Sequence, residues 1–215
     1  MKKFLVVLFV SMISSGFGQN AYDAQGERHG SWSKNYEDGS IRYKGAFDHG
    51  REVGIFEFFT EGHAEQPSLV KVFKEDGSAL CTYYDEKGLK SSEGLMQGKD
   101  KIGAWVYYKN GIVISKEFYK NGLLEGEAQV IHENGTIVQR TNYQKGKKNG
   151  GFLRYNKYGI LLSSFVYVND VLQGPVAVYN DQGVLMEKGF YFNDLKSGHW
   201  EFYDENGVVK TKDFN

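Results

Sequence analysis

Between short polar breaks, large apolar side chains return at even offsets, the spacing that puts residues on one face of a pleated strand. Trp32, Phe56, Trp105, Ala128, Phe152, Val176 and Trp200 form one such column along the chain. A second runs through Ile41, Val113, Ile137, Leu161, Leu185 and Val209, and a third, six residues further on, through Phe47, Met96, Tyr119, Tyr143, Tyr167 and Tyr191. Members of a column recur at steps near 24, so the pattern predicts short strands grouped in units of about 24 residues.

The breaks obey the same period. Glycine stands at 126, 150, 174 and 198 with a constant step of 24, at 30 and 54 with the same step, and at 103 with a step of 23. A degenerate unit near Ala79 fills the gap between Gly54 and Gly103. Two turn series run between these glycines. Asp38-Gly39, Lys87-Gly88, Asn110-Gly111, Asn134-Gly135, Tyr158-Gly159, Gln182-Gly183 and Asn206-Gly207 form the first. His49-Gly50, Gln97-Gly98, Asn121-Gly122 and Lys145-Gly146 form the second, continued by Asn169-Asp170 and Asn193-Asp194. Asp and Asn tolerate positive φ best among non-glycine residues, and Asn-Gly between apolar runs is the strongest short hairpin signal, through a type I′ turn. From Gly111 onward the turns alternate at steps of 11 and 13, which predicts strands of nine and eleven residues and leaves no room for helices.

The fold expected is all-β, an elongated, twisted antiparallel meander of stacked β-hairpin repeats, with about eight units in a single domain over residues 19–215. One repeat buries too little to fold alone, so neighbours must cover each other's apolar stripes. The array is degenerate around 60–80, where Pro67 removes a ladder donor and turn spacing stretches to 15 between Gly62 and Gly77. A bulge, longer loop or edge segment is expected there. An open meander also has two end strands, and the charged tail Lys210-Thr211-Lys212-Asp213 is placed to guard one of them.

Residues 1–18 change the picture of location. Lys2 and Lys3, an apolar run from Phe4 to Ile13 and Gly16-Phe17-Gly18 read as a signal peptide cleaved near Gly18/Gln19, too short to span a bilayer. The expected localisation is therefore export, to the periplasm or beyond. Without Lys2 and Lys3, 24 basic residues face 27 acidic ones, a net charge of −3 that argues against a nucleic-acid partner. The single cysteine, Cys81, makes no internal disulfide and reads as a small buried residue.

Candidate chemistry is sparse. The chain has no nucleophile-elbow G-x-S-x-G, no phosphate-binding G-x-x-x-x-G-K-[ST], no H-E-x-x-H and no paired Cys motif, so no catalytic residue and no cofactor are assigned. The histidines, at 29, 49, 63, 132 and 199, are scattered, whereas a zinc site needs three or four convergent ligands, and no metal is expected. Asp170 and Asp194 replace turn glycines in register and read as turn residues. Two surfaces remain as candidates: a binding face on Tyr119, Tyr143, Tyr167 and Tyr191, and an anionic-ligand patch on Lys145, Lys147 and Lys148.

Gly103-x-Trp105-x-x-Tyr108-x-Asn110-Gly111, Gly198-x-Trp200-x-Phe202-Tyr203 and the Asn121-Gly122 linkers resemble the MORN repeat, in its bacterial variant. The resemblance covers nearly all of the chain after residue 18 and rests on turn glycines and packing aromatics. It implies a twisted sheet of stacked hairpins used in interaction and scaffolding, with lipid contact also proposed for the family. Many bacterial proteins of this kind carry the label YwqK-type antitoxin, which fits poorly with an exported chain. The expected function is a non-enzymatic interaction or scaffold module of the bacterial cell envelope, its partner another envelope protein or an extended polymer. Peripheral binding to anionic lipid is one alternative. An antitoxin-like protein, or an enzyme acting on an envelope polymer through the segment from Thr60 to Gly77, is another.

Overall fold

The computed structural model describes residues 19–204 and 206–215; the expected signal peptide lies outside the described residues. Nineteen strands and no helix make up the described chain. The sheet opens with β1 (Ala21–Tyr22), β2 (Arg28–Asn35), β3 (Ile41–Asp48) and β4 (Arg51–Phe58). The irregular unit holds β5 (Leu69–Phe73), β6 (Ser78–Tyr84) and β7 (Lys90–Gln97). Then follow β8 (Asp100–Lys109), β9 (Ile112–Lys120), β10 (Leu123–Leu124), β11 (Gly126–Ile131), β12 (Ile137–Gln144) and β13 (Lys147–Tyr155). The sheet ends with β14 (Leu161–Val168), β15 (Val171–Leu172), β16 (Gly174–Tyr179), β17 (Leu185–Phe192), β18 (Leu195–Tyr203) and β19 (Val209–Phe214).

Apart from β10 with β11 and β15 with β16, each strand pairs antiparallel with its neighbour in sequence, giving one open meander. β10 and β11 both pair with β9, and β15 and β16 both pair with β14, so each couple is one strand interrupted at Glu125 or Gln173. The residues taken up by the turns leave β13 and β18 at nine residues where eleven were expected and β12, β14 and β17 at eight where nine were expected, while β9 has the expected nine.

Register explains the columns. One row crosses the sheet through Trp32 opposite Gly45, Cys81 opposite Gly94, Gly94 opposite Trp105, Thr141 opposite Phe152, and Val176 opposite Gly189. The rings of Phe56, Trp105 and Trp200 lie flat on the glycine of the preceding strand: a Cβ at Gly45, Gly94 or Gly189 would come within 2.5, 2.4 or 2.2 Å of ring carbons. These glycines have ordinary strand φ; space, not backbone conformation, requires them. Trp105 Nε1 donates to Leu95 O at 3.0 Å and Trp200 Nε1 to Phe190 O at 3.2 Å, in each case the carbonyl just after the covered glycine. The indole thus loses its apolar area and satisfies its one donor in a single placement. Trp105, Trp200 and Phe56 are 0% exposed, although the sheet has one layer.

The repeat glycines mark a second regular feature of the sheet. Opposite Gly94, β8 carries extra residues around Gly103, whose φ is +64°; β4, β13 and β18 carry the same bulge at Gly54, Gly150 and Gly198. Bulges of this kind increase local right-handed twist.

The two turn series differ, which corrects the expectation of a shared I′ geometry. His49-Gly50, Asn121-Gly122, Lys145-Gly146, Asn169-Asp170 and Asn193-Asp194 have positive φ at both residues, as type I′ requires. In the first series only Asn110-Gly111 does so. At Asp38-Gly39 the glycine alone is left-handed; Gly39 N–H donates to Tyr36 O and Tyr36 N–H to Ser40 O, the pattern of a type I turn followed by a glycine bulge. An Asx residue three before the glycine completes several of these turns. Asn156 Oδ1 accepts from the N–H groups of Tyr158 and Ile160, Asn180 Oδ1 from Gln182 and Val184, and Asp204 Oδ1 from Asn206 and Val208.

Between Thr60 and Ser68 the chain forms a longer loop carrying Pro67, with a single bridge from Thr60 to His63, before β5 resumes the meander. Cys81 is buried without a disulfide partner, in a cluster with Ala79 and Trp105.

Gly189→Ala and Gly94→Ala each force an indole off its seat and are expected to cost about 2 kcal/mol, read as a fall in urea midpoint with a red shift of tryptophan emission. Wild-type stability in both variants would show that ring and glycine are not in contact.

Candidate functional site

The aromatic face is covered from within. Gly103 stands opposite Tyr119, Gly126 opposite Tyr143, Gly150 opposite Tyr167 and Gly174 opposite Tyr191, so each candidate tyrosine lies beside a bulge or turn-entry glycine of the preceding strand. Tyr119, Tyr167 and Tyr191 meet Trp105, Phe152 and Trp200 edge-on at 6.4, 6.1 and 5.3 Å. On their other side the facing residues alternate: Leu124, Lys148, Leu172 and Lys196. The lysines lie over rings, with Lys196 Nζ 3.8 Å from the Trp200 centroid, Lys148 Nζ 5.0 Å from that of Tyr167, and Lys101 Nζ 4.4 Å from that of Trp105. A cation there satisfies the ring's negative face while its alkyl stem covers apolar surface. All four tyrosines are half-buried as a result.

The three candidate lysines separate. Lys148 belongs to this aromatic stack and is half-buried; Lys147, the next residue on the strand, is exposed and points to the other face. Lys145 lies in the turn, where its backbone N–H donates to Glu125 Oε2 at 2.8 Å, so a carboxylate sits beside it. Asp170 and Asp194 hold turn positions with φ of 72° and 64°, and their carboxylates accept the N–H groups of Lys148 and Leu172 at 2.7 Å. These bonds tie each turn to the preceding unit.

Burial pushes the phenols of Tyr83, Tyr107, Tyr119, Tyr143 and Tyr167 upward, reinforced by the Glu117 carboxylate at Tyr107, Tyr119 and Tyr143 and by Asp194 at Tyr167. Lys101 Nζ donates to Tyr107 Oη at 2.8 Å, and Tyr119 Oη donates to Glu117 at 2.6 Å.

The opposite face is more apolar at its surface than the sequence reading foresaw. Ile55, Val72, Leu80, Leu95 and Ile102 face one another in succession across β4 to β8. The first three are 56%, 40% and 39% exposed. Beside this row runs a polar one, which includes the Lys44–Glu57 ion pair at 2.7 Å. The irregular loop borders an open hollow lined by Thr60, His63, Gln66, Pro67, Tyr84 and Lys87. Among the described residues no hydroxyl or thiol in it is hydrogen-bonded to His63. A second grouping was also invisible in the sequence: His29 and His49, twenty residues apart, come together with Asp48 at the first unit.

Four segments, 28–49, 103–121, 124–145 and 196–214, match the family model of the MORN repeat variant. Those four segments of the sheet carry the MORN repeat variant. No curated protein shows a significant match to the chain. In structural terms a MORN unit is the bulged glycine, the ring two residues later, a turn, and the aromatic that returns beside the next glycine. MORN repeats indicate an interaction protein, directed to another protein or to a membrane.

The raised phenols fix a pH dependence. Folded tyrosines ionise above the value near 10 of the unfolded chain, so below that pH their contribution is constant. As pH climbs beyond about 10 the unfolded chain loses protons first and stability falls. The urea midpoint is expected to drop from about pH 10 upward, less steeply in Tyr107→Phe/Tyr119→Phe. Ultraviolet titration of the folded protein showing every tyrosine ionising at the unfolded value would contradict the burial of this column.

Proposed function

We propose that this chain is an exported, non-enzymatic interaction module that receives an extended protein segment on the row Ile55, Val72, Leu80, Leu95 and Ile102. One observation carries the reading: an apolar row that crosses five adjacent strands, exposed at Ile55, Val72 and Leu80 and half-buried at Leu95 and Ile102, while the other face of the sheet covers its own rings. At about 4.8 Å per strand the row is about 19 Å long, the reach of about six extended residues. Its width, one side chain flanked by charges of both signs, suits a peptide strand better than a bilayer surface, and the net charge of −3 of residues 19–215 gives anionic lipid no general attraction. The tyrosine column, held by glycines and lysines, serves here as the packed wall of the sheet.

The test places a photo-crosslinking residue at position 55 of the exported protein in its native envelope. One protein adduct is expected, retained in Tyr143→Ala/Tyr167→Ala and lost in Val72→Lys/Leu80→Lys, with both variants folded by circular dichroism. Loss only in the tyrosine variant would move the binding face to the aromatic side. Lipid adducts alone, or co-sedimentation with anionic vesicles that Lys145→Ala/Lys147→Ala abolishes, would overturn the protein reading.

A further inference from the structure

At one register position of this sheet the residue before the repeat glycine meets the first residue of the following type I′ turn. Lys145 N–H donates to Glu125 there, Asn149 Nδ2 to Asn169 Oδ1 at 3.4 Å, and Asn193 N–H to Gln173 Oε1 at 3.1 Å. In the first unit the two positions are His29 and His49, and the strand residue between them is Asp48. His29 precedes Gly30, and β2 and β3 run in the register Gly30–Phe47, which sets His29 beside Asp48; the turn then carries His49 back over the pair. The imidazole centroids are 4.9 Å apart. Asp48 Oδ1 lies between them, 3.6 Å from His29 Nδ1 and 3.8 Å from His49 Nε2, and one donor atom from each residue lies within 4.8 Å of the others.

The ligand atoms of a tetrahedral zinc ion with bonds of about 2.0–2.1 Å are separated by about 3.3–3.4 Å. The two observed distances exceed that by about 0.2–0.5 Å. A second carboxylate prepares the site. Asp23, in the turn between β1 and β2, accepts the N–H groups of Gln25 and Glu27 through Oδ1 and offers Oδ2 to His49 Nδ1 at 2.6 Å. Holding a proton on Nδ1 leaves the Nε2 lone pair directed to the Asp48 side, the relation by which a carboxylate orients a metal-binding histidine. The backbone N–H of Gly50 donates to Arg28 O at 2.9 Å and pins the turn that carries His49.

We propose that His29, Asp48 and His49 bind a divalent transition ion of the zinc class, with Asp23 as the positioning residue for His49. Three protein ligands leave the fourth position to water or to a donor atom from a partner. The ion ties the turn after β3 to β2, at the end of the sheet where β1 contributes only two residues.

The measurement is isothermal titration of the mature chain, residues 19–215, with zinc chloride, together with the visible absorption of the cobalt(II) complex. A 1:1 complex with a tetrahedral cobalt spectrum is expected, along with a zinc-dependent rise in melting temperature. His49→Gln and Asp48→Asn should abolish all three, and Asp23→Asn should weaken binding by about 10–100-fold. His199→Gln should change nothing, since that histidine pairs with Asp213 at 3.0 Å at the far end of the chain and serves as a surface His–Asp control. Circular dichroism of each apo variant establishes that it is folded. Absence of a 1:1 complex, or equal affinity in wild type, His49→Gln and His199→Gln, would overturn the site.

Discussion

The structure depends on an aromatic ring lying on a glycine of the neighbouring strand. A single-layer sheet has no second layer to bury its side chains, and this contact substitutes for one. The ring removes both its own area and the bare backbone of the glycine from water, and the indole N–H finds a carbonyl on the same strand. A lysine on the ring's outer face completes the cover at Trp105 and Trp200. Backbone strand, ring and cation form a stack within one unit and its neighbour, so the core is repeated along the sheet rather than gathered at a centre.

This arrangement has consequences for function. Because the aromatic face seals itself, the residues that look most like a binding surface by composition are the ones already engaged. On the opposite face Ile55, Val72 and Leu80 are left in water. The turns contribute a different kind of specialisation. Their backbones repeat from unit to unit, with turn N–H groups donating to the strand of the preceding unit at Gly50, Gly122, Gly146, Asp170 and Asp194. The first turn residue differs from unit to unit, His49, Asn121, Lys145, Asn169 and Asn193, and at His49 the difference brings imidazole to imidazole.

Much of this was legible from spacing. Glycines at steps of 24 mark backbone positions that no other residue serves well, and columns at even offsets report which face each strand buries, so strand order and the buried column follow directly. Gly45, Gly94 and Gly189 escaped because their column is interrupted by Glu117, Thr141 and Phe165, where the facing residue is smaller or tilted, and because a glycine inside a strand ordinarily reads as a weakness. The Asx residues three before the turn glycines were hidden by mixed identity, His132 among Asn and Asp. The separation of Lys147 from Lys148 follows from strand alternation alone. The meeting of His29 and His49 required the register of β2 on β3, and a shift of one residue would have sent His29 to the other face.

The most direct test of the ring-on-glycine account is hydrogen exchange, resolved by peptide, on Trp200→Leu. If each ring holds only its own unit and the adjacent one, amide protection should fall in β17, β18 and β19 while β2 to β9 keep the wild-type pattern. Uniform loss of protection along the whole sheet, or none anywhere, would contradict it.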